Sequence, residues 1–291
     1  MTGPGSASQP AEAVVERLRS VAGFVFDLDG TLALGDEQNR GLKPRPGAVE
    51  LLCLLRERGT PFVILTNGTV RVAVEYFPKL SGIGLPVEPD SVLTPSDVAA
   101  AYFLRRGLQR VLALGEEGVW RPLEAAGLEI FRPGRGALPE VQAVWVGWYP
   151  GFGMADITAA VEAVEAGAGL YSASGTPWFS TAGGKTLGTS MVICGAVEAV
   201  TGRRAVILGK PSEESLLLAA ERLGVPVPDL AIVGDDPRLE IAMAHQGGCL
   251  AVYVDSGVGG KAPFAGLAHE ALPHLSVKDP GELLDLLLAG G

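Results

Sequence analysis

Short apolar segments alternate with longer amphipathic ones along nearly the whole chain, and this alternation limits the fold more than any other sequence feature. Segments with the length and composition of strands are residues 21–26, 61–65, 111–114, 141–148, 205–208, 230–233 and 249–254. Helical patterns lie between them, at residues 47–58, 95–106, 155–166, 188–200, 212–223 and 238–246. This order predicts an α/β fold with a Rossmann-like, doubly wound parallel sheet buried on both faces.

The spacing of two polar positions indicates an inserted domain. Thr66 follows the second predicted strand, and Lys210 lies 144 positions further on. A crossover between parallel strands needs only about a dozen residues, and this interval contains predicted strands and helices of its own. We therefore predict a core made of residues 11–91 and 204–291, with an α/β domain inserted at residues 92–203. Residues 1–10 are expected to form a flexible tail.

The strongest functional signal is residues 24–32, an apolar strand that runs into two acidic residues, Asp27 and Asp29, and then Gly30 and Thr31. In extended backbone, side chains two positions apart point the same way. Two neighbouring carboxylates repel each other unless a cation lies between them, so the pair is a candidate Mg²⁺ site. The alternative is a strand end with an ordinary aspartate turn.

Three more predicted strands run directly into polar residues, which are Thr66 and Asn67, then Lys210, then Asp235 and Asp236 with Glu240 beyond. The carboxyl ends of strands in one parallel sheet share an edge, where ligands bind. Each group also has an ordinary interpretation, as a turn, a solvated lysine or a helix cap. Four such groups in this order favour one shared site over four unrelated turns.

The four groups resemble the four motifs of the haloacid dehalogenase superfamily of phosphohydrolases, in that family's order. The insertion after the second motif is similar to the type IIA cap, a branch that includes nitrophenyl-phosphate, phosphoglycolate, pyridoxal-phosphate and sugar- or nucleotide-phosphate phosphatases. The resemblance covers most of residues 21–260. It implies a Mg²⁺-dependent phosphatase that hydrolyses a small phosphorylated metabolite, a phosphate monoester, through an aspartyl-phosphate.

The resemblance also implies roles for individual residues. Asp27 is expected to be the nucleophile, and Asp29 the general acid for the leaving group and then the base for water. Thr66 and Asn67 are expected beside the phosphoryl group, and Lys210 to offset charge on the nucleophile and the phosphate.

The same resemblance implies a metal site. The carboxylates of Asp27 and Asp235, with the backbone carbonyl of Asp29, are expected to hold Mg²⁺. The fourth motif departs from the family pattern, because its second acid is Glu240 rather than aspartate and an extra acid, Asp236, follows Asp235. Either Asp236 or Glu240 is a candidate outer partner of a metal-bound water, and the sequence does not choose between them.

The inserted domain offers candidates for contact with substrate. Trp148, Tyr149 and Trp178 are concentrated aromatic residues in a chain that is only 6% aromatic, and Lys185 is a candidate cation. The alternative for the aromatic residues is packing of the insertion against the core. Glycines before Lys185 suggest a nucleotide-binding loop, but the spacing of that motif is not met.

Composition narrows the partners and the compartment. A net charge of −10 and a pI near 4.9 argue against binding to nucleic acid or to an anionic membrane surface. The three cysteines are far apart and lack metal spacing, which predicts free thiols in a reducing compartment. With no long apolar segment, we expect a cytoplasmic protein.

Two other functions stay open at this stage. One is a phosphomutase or another phosphotransferase of the same superfamily. The other is a ligand-binding homologue without turnover, for which the replacement at Glu240 is the one hint. A homodimer through the inserted domain is also open, with the apolar residues 191–200 as a candidate interface.

Overall fold

The chain forms two parallel β-sheets, and helices cover both faces of each. The computed structural model describes residues 12–36, 40–134, 138–181, 184–255 and 264–289, with the backbone alone at residues 179, 180, 184, 185 and 270. The tail predicted at residues 1–10 lies outside the described residues. The predicted α/β architecture with a doubly wound core is confirmed.

Fifteen strands and ten α-helices can be named in the described part of the chain. The strands are β1 (Gly23–Phe26), β2 (Ala33–Leu34), β3 (Lys43–Pro44), β4 (Phe62–Leu65), β5 (Val92–Leu93), β6 (Arg110–Leu114), β7 (Glu129–Phe131), β8 (Ala143–Val146), β9 (Gly169–Ser172), β10 (Trp178–Thr181), β11 (Gly184–Leu187), β12 (Val206–Ile207), β13 (Leu230–Gly234), β14 (Leu250–Val254) and β15 (Leu275–Val277). The helices are α1 (Glu12–Ser20), α2 (Ala48–Glu57), α3 (Tyr76–Gly82), α4 (Pro95–Arg105), α5 (Glu117–Ala125), α6 (Met154–Glu165), α7 (Thr189–Thr201), α8 (Glu213–Leu223), α9 (Ala242–Gly247) and α10 (Pro280–Leu288).

The first sheet has six parallel strands in the order β15-β14-β13-β1-β4-β5. Side chains alternate between its faces. Phe24 and Phe26 therefore pack on one side, in the cluster that includes α2, α3 and α10, while Val25 packs on the other side with α8 and α9. The strand β1 lies at the centre, which places the residues that follow it in the middle of the sheet's carboxyl edge.

The second sheet has five parallel strands in the order β12-β9-β8-β6-β7. Helices α6 and α7 pack on one face, and α4 and α5 on the other. Trp145 of β8 is fully buried against the α4 and α5 side. Leu218 of α8 packs against the clusters of both sheets, so the two layers share part of their apolar packing.

The carboxyl edges of the two sheets meet at the loop that follows β4. The backbone N–H of Trp148, just beyond β8, donates to the hydroxyl of Thr69 at 2.8 Å. A side chain on Gly118, at the start of α5, would lie 2.3 Å from the Thr69 carbonyl. Beyond β9, the carbonyl of Ala173 lies so close to Gly209 that a Cβ there would be 2.0 Å away. The candidate site residues that follow β4 thus lie where the carboxyl edges of the two sheets meet.

Two strands join a different sheet from the one that the sequence suggests. Residues 205–208 were expected to be a core strand that delivers Lys210 to the same edge as Asp27, but β12 pairs with β9 in the second sheet. Val92 and Leu93, placed within the insertion, pair with β4 in the first sheet. Strand propensity is a local property, whereas the choice of a neighbouring strand depends on the whole fold.

Two short antiparallel ribbons complete the described structure. One joins β2 and β3 shortly after Asp29, in the segment between the first two motifs. The other joins β10 and β11 in the inserted region. Among the helices in the described ranges, none combines the length and the apolar character that crossing a bilayer requires.

Candidate active site

Asp27 follows the central strand β1 and is almost completely buried, with 6% of its surface exposed. Its backbone N–H donates to the carbonyl of Val233 at 2.9 Å, which ties the position of Asp27 to the end of β13. The hydroxyl of Thr31 donates to Oδ2 at 3.1 Å, and the Lys210 ammonium donates to Oδ1 at 2.5 Å. Both carboxylate oxygens are therefore held in place by partners from separate parts of the chain.

Gly30 brings Asp235 close to the Asp27 loop. Its φ of 100° lies in the left-handed region, which favours glycine. A Cβ at this position would lie 2.2 Å from Oδ2 of Asp235, so the carboxylate occupies the space that any other side chain would fill. The carboxylate of Asp235, 7% exposed, consequently lies beside the backbone turn that carries Asp27 and Asp29.

Asp29 differs from Asp27 in its surroundings and in its acidity. It is partly exposed, and its Oδ2 accepts a long hydrogen bond of 3.4 Å from the hydroxyl of Thr66. Burial raises the pKa of Asp29 to about 7, with the negative charge of Asp27 as the next contribution, while Lys210 and Thr66 act in the opposite direction. At neutral pH, Asp29 therefore populates both its protonated and its ionised form.

Thr66 is oriented by a network that the sequence does not reveal. Its hydroxyl oxygen accepts the backbone N–H of Gly68 at 2.9 Å and also shares a hydrogen bond with the hydroxyl of Tyr76, a fully buried residue at the start of α3. The hydroxyls of Thr66 and Tyr76 thus belong to one network that leads to Asp29. Burial raises the pKa of Tyr76, so its hydroxyl stays protonated.

Asn67 holds the segment that carries Lys210. The backbone N–H of Lys210 donates to Oδ1 of Asn67 at 2.8 Å, and Nδ2 of Asn67 donates to the Lys210 carbonyl at 3.1 Å. Asn67 thus pairs with Lys210 much as a neighbouring strand would. This pairing explains how Lys210 reaches Asp27 although the strand before it, β12, belongs to the other sheet.

The Lys210 ammonium lies between two carboxylates. Its distance to Oδ1 of Asp27 is 2.5 Å and to Oε1 of Glu240 is 2.6 Å, and 2% of the lysine side chain is exposed. Burial by itself lowers the pKa of Lys210, but these two negative charges outweigh it, so the pKa lies above its usual range. Burial raises the pKa of Glu240, against the opposing charge of Lys210.

The two candidate outer partners of a metal water have different surroundings. Asp236 begins the turn that leads into α9, and its Oδ1 accepts the backbone N–H of Arg238 at 2.8 Å, so it serves as a cap. Glu240 is 1% exposed and pairs with Lys210. Asp236 thus caps the turn before α9, as one alternative for it predicts. Glu240 lies with Asp27 and Lys210 among the buried charges of the site.

The candidate residues of the inserted region lie in three different settings. Trp148 is held at the junction of the two sheets by its bond to Thr69, and its indole N–H donates to the Leu187 carbonyl at 3.2 Å. Tyr149 packs partly against the cluster of α6 and α7, and Trp178 is 51% exposed on β10. The side chain of Lys185 lies outside the described residues.

Residues that sequence reasoning missed include Tyr76 and Thr69. Tyr76 lies ten positions after Thr66, at the start of a short helix, where an apolar pattern predicts nothing beyond packing. Thr69 lies within the polar run that begins at Thr66, so its proximity in sequence was the available signal. Neither residue type is specific enough to be assigned a role without its long-range contacts.

The residues present suit a divalent metal that prefers oxygen ligands. In the described ranges, no group of three His, Cys, Asp or Glu side chains is arranged to hold a metal ion. The set expected here has two carboxylates, from Asp27 and Asp235, and a backbone carbonyl, from Asp29. The contact of Asp235 with Gly30 brings the second carboxylate to the turn that carries the other two groups, and an all-oxygen set fits Mg²⁺.

Comparisons with known proteins agree with this geometry. A family model of haloacid dehalogenase-like hydrolases matches residues 24–129, and a HAD-hydrolase-like model matches residues 207–279. The sequence is 32% identical to chronophin from Rattus norvegicus over 93% of this chain and 92% of chronophin.

Solved structures show the same similarity. The 4-nitrophenylphosphatase from Thermotoga maritima matches with a TM-score of 0.81 and 25% identity over 93% of this chain and 99% of that one. The glycerol phosphate phosphatase from Mycobacterium tuberculosis, solved in complex with magnesium, matches with a TM-score of 0.77 and 26% identity over 92% of this chain and 77% of that one.

Proposed function

The chain belongs to the haloacid dehalogenase-like hydrolases, and on that premise we propose that it is a phosphatase of small phosphate monoesters that works through an aspartyl-phosphate. One observation carries the proposal. Two neighbouring carboxyl groups differ in environment, because Asp27 is paired with a buried ammonium and the pKa of Asp29 is raised to about 7. This difference provides one nucleophile and one proton carrier.

The first half-reaction forms a covalent intermediate. A carboxylate oxygen of Asp27 bonds to phosphorus as the bond from phosphorus to the leaving oxygen breaks. Protonated Asp29 gives its proton to that oxygen, and the product alcohol departs. The ammonium of Lys210, 2.5 Å from Asp27, offsets the negative charge that nucleophile and phosphoryl group bring together.

The second half-reaction restores the enzyme. Asp29, now ionised, takes a proton from a water molecule whose oxygen bonds to phosphorus, and the bond between phosphorus and Asp27 breaks. Inorganic phosphate leaves, and Asp29 is protonated again. The hydroxyl of Thr66, already directed towards Asp29, is available to donate to a phosphoryl oxygen in both steps.

The residues that would hold Mg²⁺ are Asp27, Asp235 and, through its backbone carbonyl, Asp29. When bound, the ion supplies positive charge that draws the phosphoryl oxygens to the nucleophile and lowers the barrier to its approach. The magnesium complex of the related glycerol phosphate phosphatase supports this choice of metal.

We propose that the inserted region, residues 94–208 by its sheet membership, acts as a cap over the site. Its strand ends face the loop that carries Thr66, and Trp148 contacts that loop directly. A cap that covers the site excludes bulk water and large substrates. Small phosphorylated metabolites are thus the favoured class, and Trp148, Tyr149, Trp178 and Lys185 remain the proposed substrate-facing residues.

We also propose that the protein forms a homodimer through the cap. Apolar side chains of α7 are exposed, at Met191 (42%), Val192 (39%) and Val200 (63%). Exposed apolar side chains on a helix can pair with those of a second copy around a twofold axis. The three cysteines are free thiols, which supports the proposed cytoplasmic location.

The test is release of inorganic phosphate from a panel of monoesters, with Mg²⁺ or with EDTA. The panel includes 4-nitrophenyl phosphate, phosphoglycolate, glycerol phosphate, pyridoxal phosphate, sugar phosphates and nucleoside monophosphates. We expect release with Mg²⁺ from at least one compound and loss of release with EDTA. Transfer to a second alcohol instead of water would favour the phosphotransferase, and tight binding without release would favour a ligand-binding homologue.

Replacement of the nucleophile provides the sharper test. We expect Asp27→Asn to lower kcat by at least about a thousandfold, because an amide oxygen cannot form the phosphorus ester, while circular dichroism is unchanged. Asp36→Asn, which removes an exposed ion pair with Arg40, is the matched control and should keep full activity. Full activity of Asp27→Asn would exclude Asp27 as the nucleophile.

A further inference from the structure

The side chain of Glu240 reaches the charged centre by an unusual local path. Residues Pro237–Ile241 form a π-helical turn, which has a wider winding than an α-helix and begins three residues after the end of β13. The stem of Glu240 then passes over Gly234, where a Cβ would lie only 2.1 Å from its Cγ. Glycine at position 234 leaves room for the Glu240 side chain, and together with the wide turn it allows that side chain to reach Lys210.

Both oxygens of the Glu240 carboxylate have partners from this chain. Oε1 accepts from the Lys210 ammonium at 2.6 Å, and Oε2 accepts the backbone N–H of Asp236 at 3.1 Å. The second bond fixes the direction of the first, because the carboxylate cannot rotate without losing it. The geometry therefore directs Glu240 to the lysine, and each of its two oxygens has a partner within the chain.

We propose that Glu240 is a positioning residue that anchors Lys210 for phosphoryl transfer, rather than the outer partner of a metal-bound water. This inference rests on the proposed function for its kinetic meaning. An ammonium has three N–H donors; two point to Asp27 and Glu240, and within the described residues the third is left for a phosphoryl oxygen.

The anchor matters because the other partner of Lys210 is the reacting group itself. As a carboxylate oxygen of Asp27 bonds to phosphorus, its negative charge passes to the phosphoryl group and the leaving oxygen. The attraction between Asp27 and Lys210 then weakens at the moment when the ammonium is needed. Glu240 forms no bond to phosphorus, so it holds the Lys210 ammonium in one place throughout the reaction.

The experiment compares the full-length protein with Glu240→Gln, which keeps the length of the side chain and removes its charge. With 4-nitrophenyl phosphate as substrate, we expect kcat to fall about 10- to 100-fold. Inorganic phosphate, measured by titration calorimetry in the presence of Mg²⁺, should bind about tenfold more weakly. The Mg²⁺ concentration for half-maximal activity should change less than about twofold, because the metal-holding residues are untouched.

Two further variants separate anchoring from stability. Glu198→Gln is the matched control, because the Glu198 carboxylate also accepts from a cation, Arg204, and from a backbone N–H, that of Ala205. It should leave kcat and phosphate affinity unchanged. Glu240→Asp keeps the charge but is one methylene shorter, so we expect it to lose part of the activity of the wild type, between the wild type and Glu240→Gln.

Several results would overturn the proposal. A rise of tenfold or more in the Mg²⁺ requirement of Glu240→Gln, with unchanged phosphate affinity, would assign Glu240 to the metal. Unchanged kcat and phosphate affinity would reduce it to a structural residue. If the wild type releases phosphate from no monoester, the proposed function fails, and the calorimetric comparison with phosphate still decides: weaker binding to Glu240→Gln supports the anchor, and equal binding removes it. Should Glu240→Gln fail to fold, Glu240→Asp carries the same measurements.

Discussion

At the scale of single residues, the site depends on the different surroundings of two acids two positions apart. Asp27 is paired with an ammonium, whereas Asp29 is near few compensating charges and close to the charge of Asp27. The raised pKa of Asp29 means that its ionised form is disfavoured in the folded protein. This has a direct consequence for the dependence of stability on pH.

Asp29→Asn should make the metal-free protein more stable at neutral and alkaline pH. The folded pKa of about 7 lies above the ordinary value of 3.8, so the wild type loses stability as the pH rises from about 4 to about 7, and the loss is constant above that. Asparagine does not ionise, so the variant does not lose stability in this way. We expect an advantage on the order of 2 kcal/mol at pH 8, reduced from the full value because Asp29 is partly exposed.

Denaturant unfolding in EDTA at pH 5, 6, 7 and 8 provides the measurement. The difference between Asp29→Asn and the wild type should grow with pH up to about 7 and then stop growing. A difference that is flat over this range, or that favours the wild type at pH 8, would contradict the raised pKa. Activity should be absent in the variant, since the proton carrier is gone.

The hydroxyl of Tyr76 should matter for catalysis more than for stability. In Tyr76→Phe, Thr66 loses a hydroxyl partner in the network that holds it beside Asp29. We expect kcat to fall about tenfold with 4-nitrophenyl phosphate, in line with the loss of one positioned hydrogen bond. Steady-state kinetics and thermal unfolding together make the measurement.

Tyr253→Phe is the matched control. Tyr253 is also buried, at 2% exposure, and its hydroxyl has no hydrogen-bond partner in the part of the chain that the structure describes. Its removal should leave kcat unchanged and stability equal or slightly higher. Equal kinetics for the two variants would mean that Tyr76 only fills space.

At the scale of elements, Gly209 joins the first sheet to the second. A Cβ at this position would lie 2.0 Å from the Ala173 carbonyl and 2.6 Å from Oδ1 of Asn67. Gly209→Ala should push the Lys210 segment away from Asn67 and break the pair of bonds that holds it. We expect a destabilisation of about 2 kcal/mol or more and a loss of most activity.

Gly82→Ala controls for the general effect of replacing glycine. Gly82 ends α3, and a Cβ there meets nothing within 4 Å. Alanine should leave activity intact and keep or slightly raise stability, because alanine favours the helix. Thermal unfolding and phosphate release are measured for both variants. If Gly209→Ala and Gly82→Ala behave alike, the proposed role of Gly209 is wrong.

The elements themselves were largely predictable, and their partners were not. Apolar runs such as residues 230–233 and the period of α8 identify strands and helices from local pattern alone. The short strand β12 was recognised, but its pairing with β9 depends on contacts between segments far apart in sequence. The Lys210 pairing with Asn67, 143 positions away, has the same origin.

The site divides in the same way. The proximity of Asp27, Asp29, Thr66 and Lys210 could be predicted because their residue types are chemically distinctive and follow apolar strands. The choice between Asp236 and Glu240 could not be made, because it depends on the path of a π-helical turn over Gly234. No local pattern in the sequence specifies such a turn.

At the scale of the whole molecule, the proposed dimer can be tested on the exposed face of α7. Met191→Glu places a charge in the proposed interface, so we expect sedimentation velocity to show a shift from dimer to monomer at micromolar concentration. Leu104→Glu is the control, since Leu104 is exposed to a similar extent, 43%, on α4 at the other face of the second sheet. A monomeric wild type would exclude the dimer.

The hydrogen bond from Trp148 to Thr69 also bears on how readily this architecture is recombined. The inserted region contacts, through Trp148, the loop that also carries Thr66, one of the proposed phosphate contacts. The fit between the two regions therefore depends on the residues of that loop. If the inserted region of a related protein replaces the one in this chain, we expect that residues 67–71 must be replaced at the same time by those of the same related protein.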